Sequence, residues 1–434
     1  MLRALRILLL LGLLVTSVLA LEARAAAPTI DVLRVEGTIV PVVADYIDRG
    51  ISKAEDENAT ACIIELDTPG GLLGTTEKIV RRIMNAQVPI VVYVSPKGAW
   101  AASAGTFITL SAHIAAMTPG TTIGAAHPVS GGGEAIPEDE MKKITEFSAK
   151  WMKTIAEERG RNIEEAQLAV TESKSFSDVD ALNVNLIDLR ADNLQSLISQ
   201  MNGWKVTLAN GAEVSIDTTG YEIIRNEMGV IERFLHVISD PNIAYLLMSL
   251  ATLGLMVEIS NPGLIFPGVI GGICLLMAFY SLGVLPVNYA GMLLIVLAFV
   301  LFIAEVFTHS FGVLTVGGLS SLVLGSLILF KGGPLFRINP WLIAVVTILI
   351  GGFLTFVVSR VIKAHRRQAT TGREELTGKT ATVKVALKPA GMVLFKGELW
   401  SAVSESGQVE PGEEVIISKV DGLRLYVTKK TIRR

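Results

Sequence analysis

The feature that most constrains the fold of this chain is an almost continuous apolar stretch over residues 242–362. Short turns divide it into segments that each approach the roughly 20 residues needed to cross the hydrocarbon core of a bilayer. Half of all residues are apolar and the mean hydropathy is +0.52, which is typical of an integral membrane protein. We predict a transmembrane region of about five helices, at 242–258, 264–283, 287–307, 311–330 and 340–362.

The N-terminus has the pattern of an export signal. A short basic start precedes the apolar run Ile7–Ala20, and the small-x-small sequence Ala23-Arg24-Ala25 follows it. This pattern predicts a signal peptide over residues 1–25. An uncleaved first membrane anchor is the alternative. In both cases the chain that follows is carried across the membrane.

The distribution of positive charge sets the orientation of the spans. An odd number of spans and a cytoplasmic basic cluster place residues 26–240 outside the cytoplasm. We therefore expect a multi-pass protein of the bacterial inner membrane with a periplasmic or extracytoplasmic N-terminal domain. A basic linker over 363–376 then leads to a cytoplasmic C-terminal domain over 377–434. The basic cluster at the end of the last span consists of Arg360, Lys363, Arg366, Arg367 and Arg373.

Residues 26–205 alternate strand-like and helix-like segments. Asp31–Val35, Ala61–Leu66 and Ile90–Val94 are apolar runs of strand length. Stretches of helix length, such as Val43–Glu57, lie between them. This alternation predicts an α/β domain with a largely parallel sheet.

Residues 206–241 are expected to connect the α/β domain to the membrane region. Within them, Glu222–Ile238 has apolar residues at helical spacing. This stretch is either an amphipathic helix at the membrane surface or a helix that packs between the two domains.

Two glycine-containing turns follow predicted strands, where functional groups collect at the carboxyl edge of a parallel sheet. The turn Asp67–Leu72 contains Gly70 and Gly71, whose N–H groups can point to one spot, as an oxyanion hole requires. In the small-residue loop Lys97–Thr106, Ser103 precedes a helical pattern, whose dipole supports developing negative charge. Taken alone, a serine at this place is more often a helix N-cap, and a paired-glycine turn is usually only a turn.

A serine nucleophile requires a general base. His113, at the edge of a buried strand, and His127, in a loop, are better explained by structural roles. A lysine whose amine is neutral because of desolvation is the other candidate. The helix predicted over Pro137–Glu158 carries the adjacent pair Lys142 and Lys143, of which at most one can face the serine. Composition alone does not choose between them.

The sequence contains no pattern typical of a metal or cofactor site. The two cysteines, Cys62 and Cys274, lie in segments of different character, so we expect them not to pair or to bind a metal. The net charge of −3 gives no excess of positive charge for nucleic acid. We therefore expect no cofactor, no metal and no nucleic-acid partner.

Several strings of residues resemble the NfeD family, whose protease domain belongs to the ClpP/crotonase-like superfamily of serine peptidases. They are Asp67–Gly71, Ala101–Thr106 and Met117–Ala125, and Ser175–Asp188 resembles the end of that superfamily's domain. The resemblance covers essentially the whole mature chain. It implies a ClpP/crotonase-like α/β domain, then an α-helical transmembrane bundle, then a small OB-like β-barrel, as in the long form of the family.

The same resemblance implies roles for individual residues and a partner. Ser103 matches the family's nucleophile, and Lys143 rather than Lys142 matches its general base. The family's usual partner is a stomatin/flotillin-type (SPFH) membrane protein, and relatives in the superfamily assemble, so we expect a homo-oligomer. Backbone N–H groups would form the oxyanion hole, contributed by Gly70 or Gly71 and by Ala104.

Residues 377–434 predict a small barrel of the OB type, because five short β-patterned runs are separated by turn signals. An OB fold that binds nucleic acid needs a basic groove with aromatic platforms. Here Phe395, Trp400 and Tyr426 are scattered and fit a core, so we expect a docking module for proteins, as the resemblance implies. The five runs are Thr380–Val383, Gly391–Phe395, Gly397–Trp400, Glu414–Ile417 and Leu423–Val427.

Three functions remain to be compared. The leading expectation is a membrane-anchored serine endopeptidase with a Ser103–Lys143 dyad that cleaves hydrophobic segments of membrane-associated proteins such as SPFH-type partners. The alternative is a scaffold or regulator of SPFH assemblies with little or no proteolytic activity. Crotonase-type chemistry on acyl-CoA is weakened by export, because acyl-CoA is found in the cytoplasm.

Overall fold

The computed structural model of the chain describes residues 28–129, 137–260, 263–308, 310, 312–330, 336–365 and 376–430. The chain divides into two compact units, with the boundary between Gly352 and Phe353. The expected signal peptide over 1–25 and most of the expected basic linker over 363–376 lie outside the described residues.

The N-terminal domain is built around a six-stranded sheet in which every neighbouring pair of strands is parallel. The strand order is β11-β1-β2-β3-β5-β8. The elements in chain order are β1 (Thr29–Glu36), α1 (Pro41–Asp56), β2 (Ala61–Asp67), α2 (Leu73–Met84), β3 (Ile90–Val94), β4 (Trp100–Ala102), α3 (Ala104–Ser111), β5 (Ile114–Met117), β6 (Thr122–Gly124), α4 (Glu138–Glu158), α5 (Ile163–Thr171), β7 (Ser175–Ser177), α6 (Asp178–Asn183), β8 (Leu189–Arg190), α7 (Leu194–Gln200), β9 (Lys205–Thr207), β10 (Glu213–Ser215), β11 (Glu222–Arg225) and α8 (Val230–Ile238).

Both faces of this sheet are covered, which explains why its strands read as continuous apolar runs. All five residues of β3 are buried. Side chains that alternate along β2 enter two different hydrophobic clusters: Ile64 faces one and Ile63 faces the other. The larger cluster includes residues of α1, α2 and α4, and the smaller one includes residues of α7. The predicted α/β fold with a parallel sheet is confirmed.

A second, small sheet lies beside the main one and was not predicted. It has the order β4-β6-β7, with β4 parallel to β6 and β7 antiparallel to β6. Each strand has only three residues, too few for a period-2 pattern to stand out in a sequence. This sheet fixes the loop that carries Ser103, because the Ser103 N–H donates to the Gly124 carbonyl over 3.0 Å.

The structure differs from the expectation that residues 206–241 only connect two domains. Strands β9 and β10 form a hairpin, and β11 pairs with β1 as the edge strand of the main sheet. The stretch Glu222–Ile238 is therefore a strand followed by the shorter helix α8, not one helix. The four residues of β11 show no period-2 alternation, so the helical spacing of the apolar residues in this stretch concealed the strand.

Helices form at all five predicted spans. They are α9 (Pro241–Ser260), α10 (Ile265–Val284), α11 (Tyr289–Phe307), α12 (Val313–Ile328) and α13 (Pro340–His365). Within the described part of the chain, α9, α10 and α11 are long and apolar enough to cross a membrane, whereas α12 and the apolar part of α13 are shorter. Glycines allow close packing in this region: a Cβ on Gly254 would lie 2.9 Å from the Cα of Gly271.

The second unit contains a closed five-stranded barrel of order β12-β13-β14-β16-β15. Its strands coincide with the five predicted runs, and buried aliphatic residues such as Val393 and Leu425 fill its centre. The predicted OB-like barrel is confirmed. The strands are β12 (Thr380–Val385), β13 (Ala390–Phe395), β14 (Glu398–Ser404), β15 (Glu414–Asp421) and β16 (Arg424–Lys429).

Candidate functional site

The turn after β2 is held in a fixed shape by the chain around it. Gly70 has φ +121°, a conformation that side chains rarely adopt. Its N–H donates to Thr68 Oγ1 over 3.0 Å, and its carbonyl accepts from the Ile39 N–H over 2.9 Å. The Leu72 N–H donates to the Ile39 carbonyl over 3.0 Å. The N–H of Gly71, between Gly70 and Leu72, takes part in neither hydrogen bond with Ile39.

Ser103 sits between β4 and α3 in a strained backbone conformation. Its φ of 52° and ψ of −111° lie outside the regions that L-residues usually occupy. Thr106 stabilises this conformation, because its Oγ1 donates to the carbonyls of Ala101 and Gly124 over 3.0 and 2.8 Å. Strain of this kind persists only where surrounding contacts fix it, and it is concentrated at functional sites.

The structure brings the glycine turn and the serine together. A Cβ built on Gly70 would lie 2.7 Å from Ser103 Cβ and 3.2 Å from its Oγ, so only glycine fits there. Because the N–H of Gly70 is already bound to Thr68, it is not free to hold an oxyanion. As the first residue of α3, Ala104 has an N–H without an acceptor inside its helix. Of the three predicted donors, Gly71 and Ala104 thus fit better than Gly70.

Helix α3 is anchored at the end opposite Ser103. All eight of its residues are buried. At its C-terminus, Arg159 donates to the Ser111 carbonyl over 2.7 Å, and the buried Arg161 donates to the carbonyls of Leu110 and Ala112 over 3.1 Å. Cations at a helix C-terminus complement the helix dipole. These two arginines therefore fix the helix that carries the serine.

A cavity of about 270 Å³ opens at Ser103. Ser103, Ala104 and Gly71 line it, so the hydroxyl and both candidate N–H donors border the same space. Most of the remaining wall is apolar, and examples are Leu72, Leu73, Phe107, Ala126, Val129 and Ile144.

The structure does not bring the predicted general base to this cavity. Helix α4 presents Ile144 and Ser148 to it, whereas Lys142 and Lys143 are both exposed and are not among the lining residues. Lys143 is the chain neighbour of Ile144, so its backbone lies next to the cavity wall. The pairing of Ser103 with Lys143 thus stays a prediction.

The two histidines considered as general bases take structural positions. His113 Nδ1 accepts from the Ile90 N–H over 3.1 Å, and burial, together with the charges of Arg159 and Arg161, lowers its pKa to about 3. His127 has Nδ1 2.9 Å from the Val170 carbonyl and does not line the cavity.

The lining residues that were not predicted from the sequence include Ser148, Pro286 and Phe336. Ser148 is fully buried, and its hydroxyl has no hydrogen-bond partner among the described residues. It lies one helical turn after Ile144, a spacing that an amphipathic-helix pattern could have revealed. Pro286 and Phe336 come from loops between membrane helices. Both follow Ser103 by about 180 residues or more, and no pattern in the nearby sequence indicates that they line its cavity.

Comparison with known proteins identifies the family. Three family models match in succession: the NfeD1b N-terminal domain over residues 29–203, the NfeD integral membrane domain over 242–360, and the NfeD-like C-terminal, partner-binding domain over 373–429. The chain belongs to the NfeD family. The resemblance to its long form is thereby confirmed, as is the membrane character of this NfeD chain.

Two relatives match over almost the whole NfeD chain. "Membrane-bound protease PH1510" of Pyrococcus horikoshii is 38% identical, over 92% of this chain and 93% of that protein. "Membrane protein NfeD1b" of Bacillus subtilis is 27% identical, over 96% of this chain and 97% of that protein.

A solved structure matches the N-terminal half. It is the "1510-N membrane protease specific for a stomatin homolog" from Pyrococcus horikoshii, 34% identical. The match covers 50% of this chain and 100% of the solved chain, with a TM-score of 0.44.

Proposed function

We propose that this chain is a membrane-anchored serine endopeptidase in which Ser103 is the nucleophile. One observation carries the proposal: Ser103 borders an apolar cavity together with Gly71 and Ala104, whose N–H groups are not used by the backbone hydrogen bonds of the surrounding turns. Two backbone donors beside a serine at a helix N-terminus suit the negative charge of a tetrahedral intermediate. The relative named as a membrane-bound protease supports the same activity.

The reaction would proceed in two steps. Ser103 Oγ attacks the peptide carbonyl, its proton passes to the amine of Lys143, and the N–H groups of Gly71 and Ala104 stabilise the oxyanion. The C–N bond then breaks, and the leaving amine takes the proton from Lys143. In the second step, Lys143 removes a proton from water, which attacks the acyl-enzyme. The bond to Ser103 Oγ then breaks, Oγ takes the proton from Lys143, and the acid is released.

Lys143 is assigned as the base on family resemblance and on its position beside the cavity wall. Its long side chain starts one residue before Ile144, which lines the cavity. His113 is unsuited to the role because its Nδ1 accepts from the Ile90 N–H and its ring does not line the cavity. A dyad therefore requires the Lys143 side chain to turn from solvent toward Ser103 when substrate fills the cavity.

The substrates we propose are hydrophobic segments of membrane-associated proteins such as stomatin/flotillin-type (SPFH) partners. The C-terminal barrel belongs to a domain described as partner-binding, which supports a docking role for it. We further propose that the chain lies in the cell membrane with the catalytic domain outside the cytoplasm and the barrel inside, and that it functions as a homo-oligomer.

The dyad is tested with full-length protein in detergent and a peptide from the hydrophobic segment of a stomatin-type protein. We expect Ser103→Ala and Lys143→Ala each to lower kcat by roughly 10⁴-fold or more. Lys142→Ala is the matched control, because the adjacent lysine is equally exposed and should retain activity. Cleavage is followed by chromatography of the products, and thermal unfolding confirms that each variant is folded.

The scaffold function is the second candidate, and it is favoured by the Lys143 side chain, which is exposed and does not line the cavity. Wild-type protein that binds its SPFH partner but cleaves no peptide would move the assignment to the scaffold. If Lys142→Ala loses activity and Lys143→Ala keeps it, Lys142 is the general base instead.

A further inference from the structure

The cavity at Ser103 is closed partly by the membrane region. Pro286, in the loop between α10 and α11, and Phe336, in the loop between α12 and α13, both line it. Only 5% of Phe336 is exposed. The nucleophile belongs to the N-terminal domain, so this cavity is composed of residues from two parts of the chain that are far apart in sequence.

Contacts around the two loops hold these residues in place. The Asn288 N–H donates to the Leu329 carbonyl over 2.7 Å, which ties one loop to the other. The Asn339 N–H donates to Asn242 Oδ1 over 2.8 Å, which fixes the second loop to the start of α9. Val284, at the end of α10, packs against the hydrophobic core of the N-terminal domain. The membrane-derived wall is therefore a packed part of the structure.

An exposed aromatic residue follows each of the two wall residues along the chain. Tyr289, three residues after Pro286, is 72% exposed, and Trp341, five residues after Phe336, is 80% exposed. Exposed tyrosine and tryptophan at the ends of membrane helices mark the interface between lipid and water. The two wall residues therefore lie close, along the chain, to helix ends that suit the interface between lipid and water.

We propose that Phe336 and Pro286 form one wall of a pocket for a single apolar side chain next to the scissile bond, and that Phe336 sets the size of the side chain accepted. This inference rests on the proposed peptidase function. The chemical basis is the apolar lining on the remaining sides, by residues such as Leu72, Phe107 and Ile144. An apolar side chain placed there leaves water, whereas a charged one would be buried without a partner.

The first test measures binding, so that it does not depend on catalysis. Full-length protein carrying Ser103→Ala, in detergent, is titrated with fluorescent pentapeptides that differ only in a central alanine, leucine or phenylalanine. Phe336→Ala enlarges the pocket and should shift the ratio of Kd values toward phenylalanine by about tenfold, whereas Phe336→Trp should shift it toward alanine. Phe336→Leu keeps an apolar wall if Phe336→Ala fails to fold.

The matched control is Phe279→Ala, because Phe279 is on α10 and is 57% exposed, away from the cavity. This variant should leave all Kd ratios within about twofold of the parent. Opposite shifts for the alanine and tryptophan variants of Phe336 support the pocket. Shifts that match those of Phe279→Ala, or no binding of any of the peptides, overturn it.

A second arm separates this inference from the proposed activity. The same peptides are incubated with proteins that retain Ser103, and cleavage is measured. If the Kd ratios shift in the Phe336 variants while no peptide is cleaved, the result supports the pocket and rejects the peptidase. If wild type and both Phe336 variants cleave the peptides with the same preference for the central residue, the result supports the peptidase and rejects the pocket.

Discussion

At the scale of single residues, the candidate site depends on unusual backbone conformations and on one close contact. Ser103 is held in a strained conformation by the Gly124 carbonyl, and Gly70 touches its side chain. The sequence indicated both residues, because serine in a small-residue loop and paired glycines after a strand are visible signals. It could not show that Thr68 takes the Gly70 N–H, since that depends on a side-chain rotamer.

Gly70→Ala should destabilise the protein and strongly lower the reactivity of Ser103. The added Cβ would meet Ser103 Cβ at 2.7 Å, and φ at this position is +121°, so we expect a stability loss of about 2–4 kcal/mol and at least a hundredfold loss of serine reactivity. Reactivity is measured by labelling with a fluorophosphonate.

Gly74→Ala is the control for this substitution. Gly74 lies in α2 with no atom within 4 Å of its added Cβ, so stability should be unchanged or higher by about 0.5–1 kcal/mol. Equal labelling of the Gly70 and Gly74 variants would contradict the close contact seen at Ser103.

His113 should make stability depend on pH. Burial lowers its pKa to about 3, below the ordinary 6.5, so the unfolded chain binds a proton that the folded chain does not. The contribution to stability is complete above pH 6.5 and is lost as pH falls toward 3, at up to about 1.4 kcal/mol per pH unit.

The comparison uses His113→Asn, whose side-chain oxygen can accept from the Ile90 N–H as Nδ1 does. Between pH 7 and 5, wild type should lose roughly 2 kcal/mol more stability than this variant, measured by denaturant unfolding. Parallel curves would show that His113 titrates normally in the fold.

At the scale of elements, the sequence predicted strands that have a regular apolar pattern and missed strands of only a few residues. The strands β1, β2 and β3 and the barrel strands have clear apolar patterns, so they were found. Strands of two to four residues, such as β4 and β11, are fixed by pairing with distant strands and carry no readable period. The orientation of α4 also depends on packing, which is why it presents Ile144 and not Lys143 to the cavity.

The N-terminal domain, when produced without the membrane region, should require β11 for its stability. Removing it would leave β1 as an unpaired edge, and the buried Asp31 would lose its hydrogen bond from Asn226. An uncompensated buried carboxylate costs about 3–5 kcal/mol. We expect a chain of residues 28–205 to aggregate or unfold at least about 10 °C lower than one of residues 28–229.

Gel filtration and circular dichroism of the two chains check this expectation. The chain of residues 28–229 also retains the hydrogen bond from the Tyr46 hydroxyl to the Asn226 carbonyl, 2.7 Å long. Two monomers of equal stability would mean that the β11 pairing is dispensable.

At the scale of the whole molecule, the N-terminal domain and the membrane region share one cavity. The order of the modules could be predicted, because each has its own composition. Their contact could not, since Pro286 and Phe336 lie in ordinary interhelical loops and reach the cavity only through the packing of α8, α10 and the paired loops.

The membrane-derived wall has a consequence for biosynthesis. Ser103 is translated well before Phe336, which comes about 110 residues after the last strand of the main sheet. At roughly 5–20 residues per second, a ribosome needs about 5–20 s for that stretch. During this interval the N-terminal domain can fold with its serine in place while one wall of the pocket is still missing. On the proposal made for Phe336, a nascent chain would therefore acquire its selectivity only after its last helices have entered the bilayer.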